Sequence, residues 1–449
     1  REIAASDARD EIDDELMPVL PEPGEVVETR HHEEVQTREW TLSNGITVLV
    51  RPTDFRSDEI RMQAYQKGGN SVVDTGDIYS AAFAAPVAQQ SGIAHLTKIQ
   101  LDQHLAGREV QVSPFIHEYT HGFSGSSSTD DLEMMLQLVH LYTVSPRIDE
   151  ESYDFLMRQV QANLERRENQ PDAVFADTLQ SIIANDNPRM EPLRLSDLDR
   201  VDFETVRQTY LDTFADLSDT VFVFVGSIDP ETMQPLTEQY LGSLPTGIQD
   251  TQRIPHPIDP PAGITSEEIY FGQEDSSRIA IVFTGDYDGS PESEYALTAL
   301  RDVLRIQLRE TIREEEGGTY GVQVSSSSQS YPDNHYQISI VFNTDPIRAE
   351  ELTRRIHNEI AYIQENGPGD DILQRVQETH RRDYESSMRS NSWWLNNLRS
   401  ARYRNESLDQ FLDRADLIEE LSPEMLIQAA RNMLPQDEYI QLLMYPQDN

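Results

Sequence analysis

Cysteine is absent from the 449-residue chain, which removes both a disulfide framework and thiolate chemistry. Lysine is nearly absent too, occurring only as Lys67 and Lys98 within a Lys+Arg total of 36. No apolar run reaches the ~18 residues at which a membrane-spanning helix becomes a candidate. The chain also lacks an H-x-x-E-H string, an EF-hand loop, a G-x-S-x-G turn and a Walker phosphate loop. It opens on Arg1 with no signal peptide, so we read it as a processed piece with any leader upstream.

What is present in excess is acid. Asp and Glu number 80, and the formal net charge is −44. Self-repulsion on this scale is tolerable where salt shortens the range of charge interactions, so we expect a halophilic source. The same charge argues against nucleic acid and anionic membranes as partners. It names no substrate, because the acids are spread along the whole chain.

The length exceeds what one core organises, so two domains are expected. Residues 1–37, with PVLPEPGE in their middle, read as an acidic linker or arm. Residues 38–247 read as a first α+β domain. TREWTLSNGITVLVRPT is a hairpin about Ser43-Asn44-Gly45, and DEIRMQAYQKGG is a third strand. Helices follow at IYSAAFAAPVAQQSG and KIQLDQHLAG, then strands at EVQVSPFIHEY and THGFSGSSS. Ser128 to Asp131 cap the apolar-periodic helix DLEMMLQLVHLYTV. Further helices are expected at 150–168, 171–185 and 203–214, then a buried strand TVFVFVGSI and a helix PETMQPLTEQYLGSL.

Residues 248–263 are proline-rich and read as an interdomain linker. Residues 264–449 repeat the first domain in outline. Strands are expected at 266–272 and 278–284, a long helix at 292–314, strands at 318–329 and 334–343, helices over 347–434, and a last strand YIQLLMYP. The fold class is therefore α+β, with two homologous domains that each pack a mixed or antiparallel sheet with helices.

Chemistry is sparse. Of 11 histidines, His31 and His32 lie with Glu33 and Glu34 in the arm and read as solvated. His117 and His121 lie in neighbouring strands about a turn, with no third ligand in view. His95 is followed by Lys98 and Ile99 where an E-H pair would complete a zinc string. The serine runs 124–128 and 325–330 carry no base at a defined spacing, and the tryptophans of WWLNN read as packing. TIREEEGGTYGV (311–322) is the one sharp feature. A helix with Arg313 in its last turn runs into Gly317 and Gly318, and Tyr320 opens a strand. Taken alone, this is a glycine helix stop, although three glutamates at a C-terminus are unusual because that end favours cations.

The order of elements, together with the strings TREWTLSNGITVLVRPT, QAYQKGG, LAGREVQVSPFIHEYTHGFSGSSSTDDLEMMLQLVHLYTVSPRID and IREEEGGTYGV, resembles the pitrilysin/insulinase (inverzincin) family of zinc peptidases. The likeness runs from about residue 38 to the C-terminus and is to the C-terminal half of bacterial, often periplasmic, two-halved members. In that family H-x-x-E-H and a later glutamate bind zinc. Here the matching segment is FAAPV at Phe83–Val87, with Glu165 near the later position, so the resemblance implies no metal site in this chain and zinc in a partner half. It further implies that Arg313 and Tyr320, turned inward by Gly317 and Gly318, bind substrate and stabilise the transition state across a closed chamber. The implied function is that of the non-zinc half of a metalloendopeptidase that degrades unfolded peptides, inactive alone and periplasmic or secreted. The implied partner is an H-x-x-E-H half, upstream in the same polypeptide or a separate subunit. A catalytically inert scaffold or processing-complex subunit is the competing reading.

Overall fold

The computed structural model describes residues 15–247, 252–273, 275–315 and 321–447. In chain order it begins with strands β1 (Val26–His32), β2 (Thr37–Leu42), β3 (Thr47–Pro52) and β4 (Ile60–Lys67). Helices α1 (Ile78–Ser91) and α2 (Lys98–His104) precede β5 (Val110–Ile116) and β6 (Thr120–Ser127). Then come α3 (Leu132–Val144), α4 (Glu150–Arg167), α5 (Pro171–Ala184), α6 (Phe203–Thr213), β7 (Val221–Gly226) and α7 (Pro230–Tyr240). The later part holds β8 (Ile264–Tyr270), β9 (Ser277–Asp286), α8 (Pro291–Glu315), β10 (Gln323–Gln329) and β11 (His335–Thr344). It closes with α9 (Ala349–Asn366), α10 (Asp370–Ser387), α11 (Asn391–Arg404), α12 (Arg414–Glu419), α13 (Pro423–Met433) and β12 (Tyr439–Tyr445).

The first sheet has the order β1-β2-β3-β7-β4-β6-β5 and the second β10-β11-β9-β12-β8. The duplication is visible in the pairings. β3 runs parallel to β7, and β7, β4, β6 and β5 continue antiparallel. β8 likewise runs parallel to β12, and β12, β9, β11 and β10 continue antiparallel. β1 and β2 are the addition in the first sheet. Residues Val26–His32, which the sequence reading assigned to the arm, are strand β1 and pair with β2 from Val26↔Leu42 to His32↔Thr37. The strand shows no core alternation because nearly all its side chains are exposed.

Local chemistry explains the elements. Asn44 Nδ2 donates to the carbonyls of Leu241 (2.9 Å) and Leu244 (3.3 Å), and Gly45 takes φ +89, which fixes the β2–β3 turn. The Ser128 hydroxyl accepts from Asp131 N (3.1 Å) at the start of α3. β7, VFVFVG, is buried at every position, as expected for a central strand covered on both faces. One face of the first sheet packs Trp40, Val48, Val50, Met62, Phe123 and Phe224 against α1, α3, α6 and α7. The second sheet packs Ile279, Ile281, Phe283, Ile338 and Ile340 against α8, α9, α10 and α13.

The two compact units are not contiguous in sequence. One comprises residues up to 160, 197–254 and 390–399, and the other 161–196, 255–389 and 400–449. This differs from the boundaries expected at residues 247 and 264. The cause is that α5 packs Phe175, Leu179, Ile182 and Ile183 on Ala280, Val282, Ile440 and Leu442 of the second sheet. Conversely, the first turns of α11 pack on the first sheet. Asn391 accepts from Thr53 Oγ1 (2.6 Å) and donates to Glu59 Oε2 (2.9 Å), and Trp394 lies over the Arg51 guanidinium.

Candidate functional site

The long helix α8 is held by a buried polar network. Tyr295 and Asp302, seven residues apart, lie on one face and meet His380 of α10. His380 Nε2 lies 2.8 Å from Asp302 Oδ2, and the Tyr295 hydroxyl lies 3.1 Å from His380 Nδ1. A carboxylate accepts, so Nε2–H donates to Asp302 and Nδ1 accepts from Tyr295. Arg301 (2.7 Å) and Arg305 (3.0 Å) complete the cage around Asp302. Burial opposes ionisation of Asp302, but the hydrogen bond from His380 and the guanidinium groups outweigh it and hold the carboxyl at about 2. Burial pushes the Tyr295 hydroxyl up to about 12.

Two more ties fix the helix towards its C-terminus. Gln307 donates to Glu359 Oε2 of α9, and Arg375 of α10 donates to Glu310, both at 2.8 Å. Arg313 falls in the last turn of α8, which ends at Glu315. Its side chain, and Gly317, Gly318 and Tyr320 entirely, lie outside the described residues. β10 begins at Gln323 rather than at the expected residue 318.

The helix that the resemblance sets against the family's zinc helix is α1. Phe83, Ala84, Ala85 and Val87 are buried there, and Pro86 lies within the continuous helix. Three of its polar side chains are committed to architecture. Gln89 donates to Ser113 Oγ of β5 (2.7 Å), Ser91 donates to the Val87 carbonyl (2.8 Å), and Ser80 Oγ accepts from Asp202 N (3.0 Å). A methyl- and phenyl-lined helix face does not fit a zinc ion, which needs nitrogen, sulfur or carboxylate donors. Glu165 is exposed on α4 and accepts from Gln161 (2.9 Å), and Lys98 pairs with Asp102. Among the described residues, no group of three or more His, Asp or Glu could hold a metal ion.

Residues 117–121, HEYTH, spell H-E-x-x-H, a string that binds zinc when a helix brings both imidazoles to one face. Here it spans the β5–β6 turn instead, and His121 has no free ring nitrogen. Its Nδ1 accepts from Gly69 N (3.2 Å), and its Nε2 donates to Gln66 Oε1 (3.0 Å). Burial holds its pKa down at about 4, so the ring is neutral. The string QKGG supplies the partners. Gly69 has φ +60, and a Cβ there would come within 2.2 Å of the His117 carbonyl. His32, in β1 rather than a flexible arm, lies 2.8 Å from buried Glu39. Trp394 is buried as packing, with the Arg51 guanidinium 3.5 Å from its ring centre. Burial lowers the Arg51 pKa to about 10.

The comparisons agree with this picture. Residues 201–379 match the family described as Peptidase M16 inactive domain. The chain is 26% identical over 404 residues to "Zinc protease PQQL-like" of Arabidopsis thaliana, covering 86% of this chain and 40% of that protein. It is 24% identical over 392 residues to "Probable zinc protease PqqL" of Haemophilus influenzae, covering 84% and 41%. The periplasmic protease PqqL from Escherichia coli shares the fold at a TM-score of 0.84 and 18% identity, covering 96% of this chain and 48% of that one. The chain thus spans about 40% of the length of the curated relatives it matches. Over residues 201–379 the chain is similar to the M16 inactive domain, and over most of its length to proteins named zinc protease PqqL.

Proposed function

We propose that this M16 inactive half packs with an H-x-x-E-H half, encloses unfolded peptides and lends Arg313 and Tyr320 to a reaction centred on the partner's zinc. The observation that carries this reading is the match of residues 201–379 to the inactive-domain family. The architecture of α8 supports it. A helix pinned at Asp302, Gln307 and Glu310 gives the backbone at Arg313 a fixed origin. Peptide hydrolysis builds negative charge on the carbonyl oxygen. A guanidinium and a phenol held in place stabilise that charge without reorganising. Gly317 and Gly318 permit the backbone turn that would bring the two side chains to one substrate. Zinc, supplied by the partner half, would act as Lewis acid.

The likeness to a relative titled periplasmic supports a periplasmic or secreted assembly, and the −44 charge suits a saline setting. The second reading is an inert subunit that keeps the fold without the chemistry, which the apolar face of α1 equally allows. To separate the two, cleavage of a quenched fluorescent peptide is followed with this chain alone, with its H-x-x-E-H half alone, and with both. Silence from this chain and full activity only from the mixture supports the proposal. Equal activity from the H-x-x-E-H half with and without this chain supports the inert subunit.

A further inference from the structure

Among the described residues, the internal repeat is incomplete at β8. In the first sheet β3 lies parallel to β7 on one side and antiparallel to β2 on the other. β8 holds the place of β3, parallel to β12, and among the described residues no strand pairs with its other edge. In a parallel pair, each residue directs its N–H and C=O to the same side, and successive residues alternate. Phe271 N donates to the Tyr445 carbonyl (2.9 Å), and the Gly263 carbonyl accepts from Tyr439 N (3.1 Å). The odd-numbered residues therefore bond β12. Ile264, Ser266, Glu268 and Tyr270 turn their main-chain groups outward, and the Tyr270 carbonyl there accepts from Gln447 Nε2 (3.3 Å).

The side chains of the same four residues stand on the α9 face, level with Tyr439, Gln441, Leu443 and Tyr445 of β12. A cleft of about 390 Å³ opens there between the strands and α9, lined by Glu268, Glu350, Arg354, His357 and Gln441 among others. His357 Nδ1 meets Gln436 Oε1 (2.9 Å), while its buried Nε2 has no partner among the described residues. Tyr270 stacks on Tyr445 (5.7 Å) and is 59% exposed. Burial raises the Tyr445 hydroxyl pKa, and the charges of Glu268 and Glu350 raise it further; these two carboxylates outnumber Arg354 among the charged side chains that line the cleft.

We infer that the outer edge of β8 is a docking site for an extended, basic segment of a partner polypeptide, which adds antiparallel in the position β2 holds on β3. Main-chain bonds at Ile264, Ser266, Glu268 and Tyr270 supply affinity, and alternate side chains enter the cleft towards Glu268 and Glu350. A second copy of this chain is the wrong occupant. Two β8 edges placed antiparallel would set Glu267 and Glu268 against each other, which destabilises a pair. The site does not depend on the role proposed for Arg313 and Tyr320.

The test uses fluorescein-labelled Arg-Val-Arg-Val-Arg-Val-Arg-Val peptide, its glutamate counterpart, and a version with a central proline. Binding to this chain is read by anisotropy, and the site by hydrogen exchange. The basic peptide binds and slows exchange at the amides of Ile264, Ser266, Glu268 and Tyr270, and the other two peptides do not. Ser266→Pro removes an outward N–H and leaves the β12 ladder intact, and it weakens binding about tenfold, as loss of one or two main-chain hydrogen bonds should. Glu268→Lys with Glu350→Lys exchanges the preference to the acidic peptide, an independent readout should the proline variant misfold. No binding, protection mapped elsewhere, or a folded Ser266→Pro variant with unchanged affinity would overturn the inference.

Discussion

The Nε2 of His380 stands 2.8 Å from Asp302 Oδ2 at a point where both side chains are under a tenth exposed. The contact joins α10 to the middle of α8, the helix that carries Arg313 in its last turn. Asp302→Asn removes the charge and leaves two arginines and a histidine facing a neutral amide. It should lower unfolding stability by about 2–4 kcal/mol, measured by urea denaturation, because a buried ion pair is broken from one side. An unchanged midpoint would show that the network does not hold the helix.

The same carboxyl sets a pH dependence. Its folded pKa of about 2 lies below the ordinary 3.8. Its contribution is therefore fully present above about pH 4 and is lost as pH falls through 2. A difference of this size is worth about 2 kcal/mol. Wild type should exceed Asp302→Asn in stability above pH 4, and the gap should close between pH 4 and 2. A gap that stays constant over that interval would count against the depressed pKa.

Glycine at 69 and at 45 should behave differently although both have positive φ. A Cβ at Gly69 would collide with the His117 carbonyl, whereas one at Gly45 meets nothing within 4 Å. Gly45→Ala should cost about 1 kcal/mol from backbone strain alone, and Gly69→Ala distinctly more. Thermal denaturation of the two variants makes the comparison. Equal losses would mean the turn against His117 can shift to accept the methyl.

Arg51 and Trp394 form a contact between β3 and α11 that a double-mutant cycle isolates. The guanidinium sits 3.5 Å from the ring centre in a buried setting. Arg51→Met, Trp394→Ala and the double variant should show a coupling energy of about 1–2 kcal/mol. Additive losses would reduce the contact to shape-filling.

These results also show what could be read from the residues. The hairpin at Asn44-Gly45 and the fully apolar β7 were legible because each is a local rule that tertiary contacts reinforce. The cap expected at Ser128 to Asp131 is instead a turn before α3, whose N-cap Asp131 makes no side-chain cap bond. β1 was not, since an edge strand with exposed side chains lacks the alternation that marks strands. The exchanged positions of α5 and α11 carry no local signal, as helical periodicity reports that a face is buried but not against what. Tyr295 and Asp302 stand one heptad apart on α8, a hint that they share a face, but their partner His380 lies 78 residues beyond Asp302. In HEYTH the letters of a zinc motif are present, and only the turn between β5 and β6 reveals that they serve another purpose. The pair on which the proposed function rests, Arg313 with Tyr320, draws its meaning from the family resemblance rather than from its own chemistry.

The acid surface leads to a plain expectation. Dialysis from concentrated salt into low-salt buffer should unfold the chain, seen as loss of near-ultraviolet circular dichroism, because 80 acidic groups repel once screening is withdrawn. Full retention of structure would remove the halophilic reading and leave the peptidase proposal untouched.

The most direct test of the central claim is the turnover of a quenched fluorescent peptide by the assembled halves, with Arg313→Ala and Tyr320→Phe compared with wild type. We expect kcat to fall by about 100-fold or more in each, as when a donor to the developing oxyanion is removed, with assembly unchanged by size-exclusion chromatography. Wild-type turnover in both variants would contradict a catalytic role and leave this half as an enclosing wall.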